Sequence, residues 1–231
     1  MNDFAVATAL ATSPSSAFAE LRERPRFWFP LLAVAISTAV MITWYYSVVD
    51  IDWLKEQIFG TPDMQKMPAE ARAAAMNVMG RNMLTISGVF GTCIGIPFFF
   101  LLTALYFLLA AKITKMPQGL KHWFSLVCWC SLPILINVVA GAVVLLLRDS
   151  NQITPGVLQP LSLNELVFHR PMGAQGQAFL DSLNIAGILS AVLMVIGVHA
   201  WSQRSWLFSS VVALLPTVLI YGIWAFFAFR S

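Results

Sequence analysis

Charged residues are scarce in this chain. Of its 231 residues, 11% are charged and 58% are hydrophobic, whereas a soluble domain carries about 25% charged residues. The net charge is only +3, and no basic run interleaved with aromatic residues is present, so nucleic acid is not an expected partner. The shortage of charge predicts that most of the chain faces lipid or other apolar helices.

Cysteine is scarce as well. The chain has three cysteines, and all of them, Cys93, Cys128 and Cys130, lie in apolar stretches, which argues against a secreted disulfide framework. Side chains two residues apart on a helix diverge by about 200° around its axis, so Cys128 and Cys130 are not expected to bind one ion. We therefore expect no metal site and no cofactor, and interpret the thiols as small packing residues.

Ionisable groups are missing from the middle of the apolar runs. All Asp, Glu, Lys and Arg residues lie outside these runs or at their very ends, whereas ion coupling and intramembrane hydrolysis need such groups at membrane depth. The histidines at 122, 169 and 199 lie in different segments, and no P-loop, H-E-x-x-H or G-x-S-x-G motif occurs. The sequence therefore predicts a protein that is not an enzyme.

Long apolar runs dominate what the sequence does contain. Five of them reach the length of about 20 residues that a membrane-spanning helix needs. They cover residues 28–48, 83–111, 123–147, 182–201 and 206–229. Tryptophans lie near their ends, as is typical of the membrane interface, and each run must be helical because the bilayer interior offers its backbone no water. The sequence predicts an all-α polytopic membrane protein with five transmembrane helices.

Three prolines interrupt these runs. The second run would reach about 43 Å as a helix, against a hydrocarbon core of about 30 Å. Pro97, near its middle, cannot donate a backbone hydrogen bond, so we expect a kink there. Two re-entrant halves are the alternative. Pro133 and Pro216 predict similar kinks in the third and fifth helices.

Polar intervals set the predicted domain boundaries. Residues 1–27 form a short cytoplasmic segment, which we expect to contain an amphipathic helix lying on the membrane surface. Residues 28–231 form the transmembrane domain, with outer loops over residues 49–82 and 148–181.

Basic residues near the helix ends indicate the orientation. Arg22, Arg24 and Arg26 directly precede the first span, and the short connection 112–122 carries three lysines and no acidic residue. Because positive charge in short loops favours the cytoplasmic side, the N-terminus is predicted inside and the C-terminus outside.

Small residues in the second run predict helix packing. Ser87, Gly91 and Gly95 repeat every four residues, and such a ridge lets helix backbones approach each other in a membrane. We expect this ridge to pack inside the monomer, with dimerisation as the alternative.

Polar and small residues also lie in the third run. The amide of Asn137 needs a partner at mid-span, and Gly141 lies on the same helix face, beside Pro133. We expect Asn137 to hydrogen-bond a neighbouring helix, with the ridge of the second helix as the expected neighbour. Contact with a ligand or lipid is the alternative. The candidate residues for helix packing or for ligand or lipid contact are Ser87, Gly91, Gly95, Pro97, Pro133, Asn137 and Gly141.

Several segments resemble the Yip family of Ypt/Rab-interacting membrane proteins. They read SPSSAFAELRERPRFWFPL (13–31), SLVCWCSLPILI (125–136), LNIAGILSAVLMVIGVHAW (183–201) and SSVVALLPTVLIYGIWA (209–225). The likeness runs over most of the chain, and Pro30 and Pro133 match the family pattern most directly. It implies five spans, a cytosolic N-terminus and, for eukaryotic members with a longer N-terminal region, a link to Rab-type GTPases. The short segment here is similar to the bacterial relatives, which weighs against GTPase binding.

Together these features predict a non-enzymatic Yip-type scaffold or adaptor of a bacterial inner membrane, acting through helix and lipid contacts. The alternative is a transporter, channel or lipid-handling protein with a pathway near the second and third helices. A polar chamber near Pro97 and Asn137 would favour this alternative, and a closed bundle would favour the scaffold. The expected partners are membrane lipids and other membrane proteins or a second copy of the chain.

Overall fold

The computed structural model describes residues 1–230, and these residues form helices joined by short loops. The α-helices are α1 (Asp3–Thr12), α2 (Pro14–Glu23), α3 (Trp28–Val48), α4 (Ile51–Phe59), α5 (Pro62–Gln65), α6 (Ala69–Val78), α7 (Arg81–Thr114), α8 (Leu120–Cys130), α9 (Ile134–Leu147), α10 (Gln177–Ser182), α11 (Ile185–Ser202) and α12 (Trp206–Arg230). A 3₁₀ turn over Pro155–Leu158 and a π turn over Asn164–Phe168 lie in the connection between α9 and α10. Within the described residues, the β-structure is one isolated bridge between Ser162 and Asn184.

Five helical segments are long and apolar enough to cross a membrane, which confirms the predicted all-α polytopic fold. They are Trp28–Val48, Arg81–Thr114, Leu120–Leu147, Ile185–Ser202 and Trp206–Arg230. Large apolar side chains on their surfaces, such as Ile86, Phe90 and Ile94 of α7, are exposed. In a membrane protein this exposure is favourable, because the surrounding lipid is as apolar as the side chains.

The three mid-span prolines have different effects. α7 continues through Pro97 over 34 residues, a length of about 51 Å, so the second span is one helix rather than two re-entrant halves. α12 likewise continues through Pro216. Pro133, in contrast, separates α8 from α9. The carbonyl oxygen of Trp129, which lies one turn before Pro133, accepts a hydrogen bond from the backbone N–H of Leu132 at 3.3 Å instead.

The chain divides into two compact units, and the long helices contribute residues to both. The first unit comprises Met1–Ile36, Ile94–Leu135 and Ala186–Gly222. Its core contains the largest fully buried side chains of the described chain, Trp123, Trp129 and Trp201. The second unit comprises the rest of the spans and the two long connections, with a core around Met41, Tyr45 and Leu145.

The N-terminal segment contains the expected amphipathic helix, and its apolar face packs against protein. Residues 1–27 form two helices, α1 and α2. The apolar face of α2, formed by Ala17, Phe18 and Leu21, is fully buried in the core of the first unit, where α2 packs against α8. Amphipathic periodicity identifies an apolar face but not what covers it, and here the cover is protein instead of the membrane surface.

Candidate functional site

An open apolar groove lies between α7 and α8 in the first unit. Its volume is about 580 Å³, within the range of about 300–1,000 Å³ typical of ligand sites. It is lined by Phe27, Pro97, Phe98, Leu101, Leu120, Lys121 and Phe124. Of the lining residues, Pro97 is the one that the sequence had singled out.

The helical periods explain how these side chains come together. Pro97 and Leu101 are four residues apart on α7, and Leu120 and Phe124 are four apart on α8, so each pair shares one helix face. The groove lies between these two faces. Leu101 and Phe98 are partly exposed, and this leaves apolar surface on the α7 wall without a protein cover.

Phe27, just before α3, forms the third side of the groove. Hydrogen bonds to the preceding residue hold it in place. The carbonyl oxygen of Arg26 accepts two hydrogen bonds from α8, from the Ser125 hydroxyl at 2.6 Å and from the Trp129 indole N–H at 2.7 Å. The next residue, Phe27, packs edge to face against Phe124 with ring centroids 4.9 Å apart. Because Ser125 and Trp129 are buried, these bonds fix the position of Phe27 at the rim of the groove.

The charges around this site are distributed unevenly. Arg26 forms ion pairs with Asp3 at 3.2 Å and with Glu20 at 3.3 Å. The pKa of Glu20 is lowered by a hydrogen bond from the Met1 amine and, to a smaller extent, by the nearby Arg26. Lys121 is exposed and has no acidic partner among the described residues. Its side chain lines the groove mainly through apolar atoms, and no acidic side chain of the described residues compensates its positive charge.

Asn137 and Gly141 lie in a closely packed region of the second unit. Asn137 is 7% exposed, and within the described part of the chain its side-chain oxygen has no hydrogen-bond partner. A Cβ atom added to Gly141 would lie 2.8 Å from both the Met41 Cε atom and the Val157 carbonyl oxygen. Among the described residues, Asn137 therefore lacks the expected hydrogen bond to a neighbouring helix, whereas Gly141 packs closely against its neighbours.

The ridge on α7 is not packed inside the chain, contrary to the expectation. A Cβ atom at Gly91 or Gly95 would meet no heavy atom of the described chain within 4 Å, and the Ser87 hydroxyl donates to the Leu84 carbonyl oxygen of its own helix at 3.1 Å. The glycine of α7 that permits close approach is Gly88, where a Cβ would lie 2.8 Å from Ile42 Cγ2. Spacing alone could not distinguish these glycines, because the covered face depends on how α7 is rotated.

The remaining singled-out residues have structural positions. Pro133 lies at the junction of α8 and α9, and the three cysteines are unpaired, with Cys93 exposed and Cys128 and Cys130 buried. The sequence did not single out the other groove residues, which are Phe27, Phe98, Leu101, Leu120, Lys121 and Phe124. The signal available for Lys121 was the acid-free connection 112–122, which was used only for orientation.

A second concavity lies in the second unit, and one of its lining side chains caps a helix. Its volume is about 570 Å³, and its lining includes Asp50, Asp52, Arg81 and Asn151. The guanidinium of Arg81 donates hydrogen bonds to the carbonyl oxygens of Tyr46 and Val49 at the end of α3. These carbonyls have no partner within the helix, so Arg81 serves as a C-terminal cap.

Comparison with known proteins identifies the family. The model of the Yip1 domain matches residues 8–227. The chain is 24% identical over 220 residues to "Membrane protein YknW" of Bacillus subtilis (strain 168), and the match covers 95% of this chain and 87% of that protein. No solved structure matches the chain. Because the domain model covers nearly the whole chain and the matched relative is bacterial, this protein belongs to the Yip family as a bacterial-type member.

Proposed function

We propose that this protein is a non-enzymatic membrane scaffold or adaptor that acts through helix and lipid contacts. The observation that carries the proposal is the close packing at Gly141, where Met41 and Val157 leave no room for an added Cβ. A transport pathway for a polar solute needs polar groups around an accessible space. The region of Asn137 and Gly141 is filled, and the space beside Pro97 is apolar except for Lys121.

The open ridge on α7 is the surface proposed to contact another membrane protein or a second copy of the chain. Small residues allow a neighbouring helix to approach closely, and association in lipid depends on such packing. Gly91 and Gly95 have this open space beside them. GTPase and nucleic-acid binding are not part of the proposal.

The experiment places a photo-reactive amino acid at position 91 and, as a matched control, at the exposed Val139 of α9. In native membranes, position 91 is expected to form a protein adduct of defined mass, which Gly95→Leu removes, while position 139 reacts with lipid. If position 91 forms adducts with lipid alone, the proposed scaffold role is contradicted. Gly95→Leu is expected to leave the thermal stability of the purified protein unchanged, because the added side chain enters open space.

A lipid-handling role is the second candidate, because the groove lies between the second and third spans. The two candidates differ in a vesicle experiment that follows the movement of fluorescent phospholipid between leaflets. If the protein is a scaffold, the phospholipid should move between the leaflets at the same rate as in protein-free vesicles. A rate that rises with the amount of protein and falls in a Leu101→Trp variant would favour lipid handling.

We further propose that the N-terminus lies in the cytoplasm of a bacterial cell and the C-terminus outside the inner membrane. The basic residues before α3 and in the α7–α8 connection support this orientation. In a cysteine-free background, Lys115→Cys should react with an impermeant thiol reagent only after the membrane is opened, and Gln152→Cys should react in intact cells. Both positions are exposed, and the reverse pattern would invert the orientation.

A further inference from the structure

The groove between α7 and α8 has the polarity pattern of an amphiphile. Lys121 is the second residue of α8, so it lies at the end of the third span, whereas Pro97 lies at the middle of α7. The other lining residues are all apolar. A charged head near Lys121 and an apolar tail extending toward Pro97 would match the two ends.

The start of α8 adds a second feature that favours an anion. Gly119 precedes the helix and provides no side-chain cap, and in the described chain the backbone N–H groups of Leu120 and Lys121 have no acceptor. Unpaired N–H groups and the helix dipole make such an end attractive to a phosphate. The ammonium group of Lys121 lies in the same turn, which adds a full positive charge.

We propose that this groove is a binding site for one anionic phospholipid. The phosphate of its headgroup contacts Lys121 and the first turn of α8, and an acyl chain lies along Phe98, Leu101 and Phe124. Bulky side chains in the lining suit a thin, flexible chain better than a second helix, which packs closely where the residues are small. The site does not depend on the scaffold role, because a scaffold and a lipid-handling protein can both hold such a lipid.

The hydrogen bonds to Arg26 favour a persistent site over a transient surface crevice. They hold Phe27 against Phe124 from the α8 side, and Arg26 itself is ion-paired with Asp3 and Glu20. Lys121 is therefore the residue that should select the charge of the lipid, and Leu101 should contact the chain of any lipid.

The experiment measures lipid binding to the purified full-length protein by native mass spectrometry in a mild detergent. Phosphatidylglycerol and phosphatidylcholine with identical acyl chains are the probes. Wild type is expected to bind one phosphatidylglycerol with higher affinity than phosphatidylcholine. Lys121→Gln should reduce the phosphatidylglycerol affinity about fivefold, the effect of one basic residue near an anionic lipid surface, and leave the phosphatidylcholine affinity unchanged. Lys115→Gln, in the connection that precedes α8 and outside the lining, is the charge control and should have no effect.

The apolar half of the site is tested by Leu101→Trp, with Leu102→Trp as its matched control. Both leucines are exposed on α7, so both variants should fold, as thermal unfolding in detergent will verify. Leu101→Trp should weaken binding of both lipids, and Leu102→Trp should not. Equal losses for the two lysine variants, or for the two leucine variants, would overturn the proposal. Dimers that disappear in Leu101→Trp would show that a second copy occupies the groove instead.

Discussion

The two units are stabilised in different ways. In the first unit, buried indoles donate to backbone carbonyls: Trp201 to Phe18 at 2.7 Å, Trp129 to Arg26 at 2.7 Å and Trp123 to Gln118 at 3.1 Å. In the second unit, the Tyr45 hydroxyl donates to the Ile153 carbonyl at 2.8 Å, and the helix surface at Gly141 adjoins Val157 directly.

This difference determines which changes each unit tolerates. A buried tryptophan contributes a large apolar area together with one specific hydrogen bond, so the first unit should be sensitive to loss of volume. In the second unit, Gly141 lies directly beside the Val157 carbonyl, so this unit should be sensitive to volume added there. The groove belongs to the first unit, where the indole bonds hold the N-terminal segment and the start of α3.

The largest expected effect is that of Trp201→Ala. This side chain is 2% exposed, and its removal leaves a cavity and deletes the indole hydrogen bond to the Phe18 carbonyl, so we expect a loss of about 3–5 kcal/mol in stability. The readout is thermal unfolding in detergent. Trp28→Ala is the control because Trp28 is 65% exposed, and it should change stability little. Similar losses of stability for both variants would show that burial of an indole does not determine how much it stabilises the first unit.

The next effect tests added volume in the second unit. Gly141→Ala places a Cβ 2.8 Å from the Val157 carbonyl oxygen and from Met41 Cε, and such overpacking costs about 1–3 kcal/mol. Gly91→Ala is the matched control, since its Cβ enters open space within the described chain and alanine has the higher helix propensity. It should be neutral or slightly stabilising by the same unfolding measurement. A destabilising Gly91→Ala with a neutral Gly141→Ala would reverse the assignment of packed and open faces.

The sequence was sufficient to predict the spans but not their neighbours. Span length and the need for internal hydrogen bonds are properties of each segment alone, which is why the five helices were predictable. The cover of α2 and the rotation of α7 depend on residues distant in sequence, so neither the protein cover of the α2 apolar face nor the open face at Gly91 was predicted. The groove combines Phe27 with residues of α7 and α8, and none of these residues is unusual by itself.

A smaller effect is expected at Asn137. Its buried oxygen lacks a partner in the described chain, and an unpaired buried polar atom is unfavourable. Asn137→Leu, which is of similar size, should therefore leave stability unchanged or raise it by less than about 1 kcal/mol. Asn137→Ala should lower it, because that change also removes packing volume. The photo-reactive amino acid at position 91 gives a second readout. If an Asn137→Leu protein is stable but no longer forms the protein adduct at position 91, the amide binds a partner or ligand.

The smallest effect concerns Asp181 in the second unit. Burial raises the pKa of this carboxyl group, and the nearby Asn164 amide and a hydrogen bond from Gln177 offset only part of the rise. A raised pKa in the folded state means that folding favours the protonated carboxyl group over the charged one. The stability that Asp181 contributes is therefore fully present below its unfolded pKa of about 3.9. It is lost as pH rises through the folded pKa.

Asp181→Asn removes this pH dependence. The variant should match wild type near pH 3.5 and be more stable near pH 7. We expect a difference below about 0.5 kcal/mol, because the carboxyl group is partly exposed and solvent screens its charge. Thermal unfolding across this pH range provides the measurement, with Asp149→Asn at an exposed loop position as the control. A variant that is less stable than wild type at pH 7 would show that the charged carboxylate is stabilised by its neighbours. The polar groups of the connection that contains Asp181 would then stabilise the second unit in addition to the close packing at Gly141.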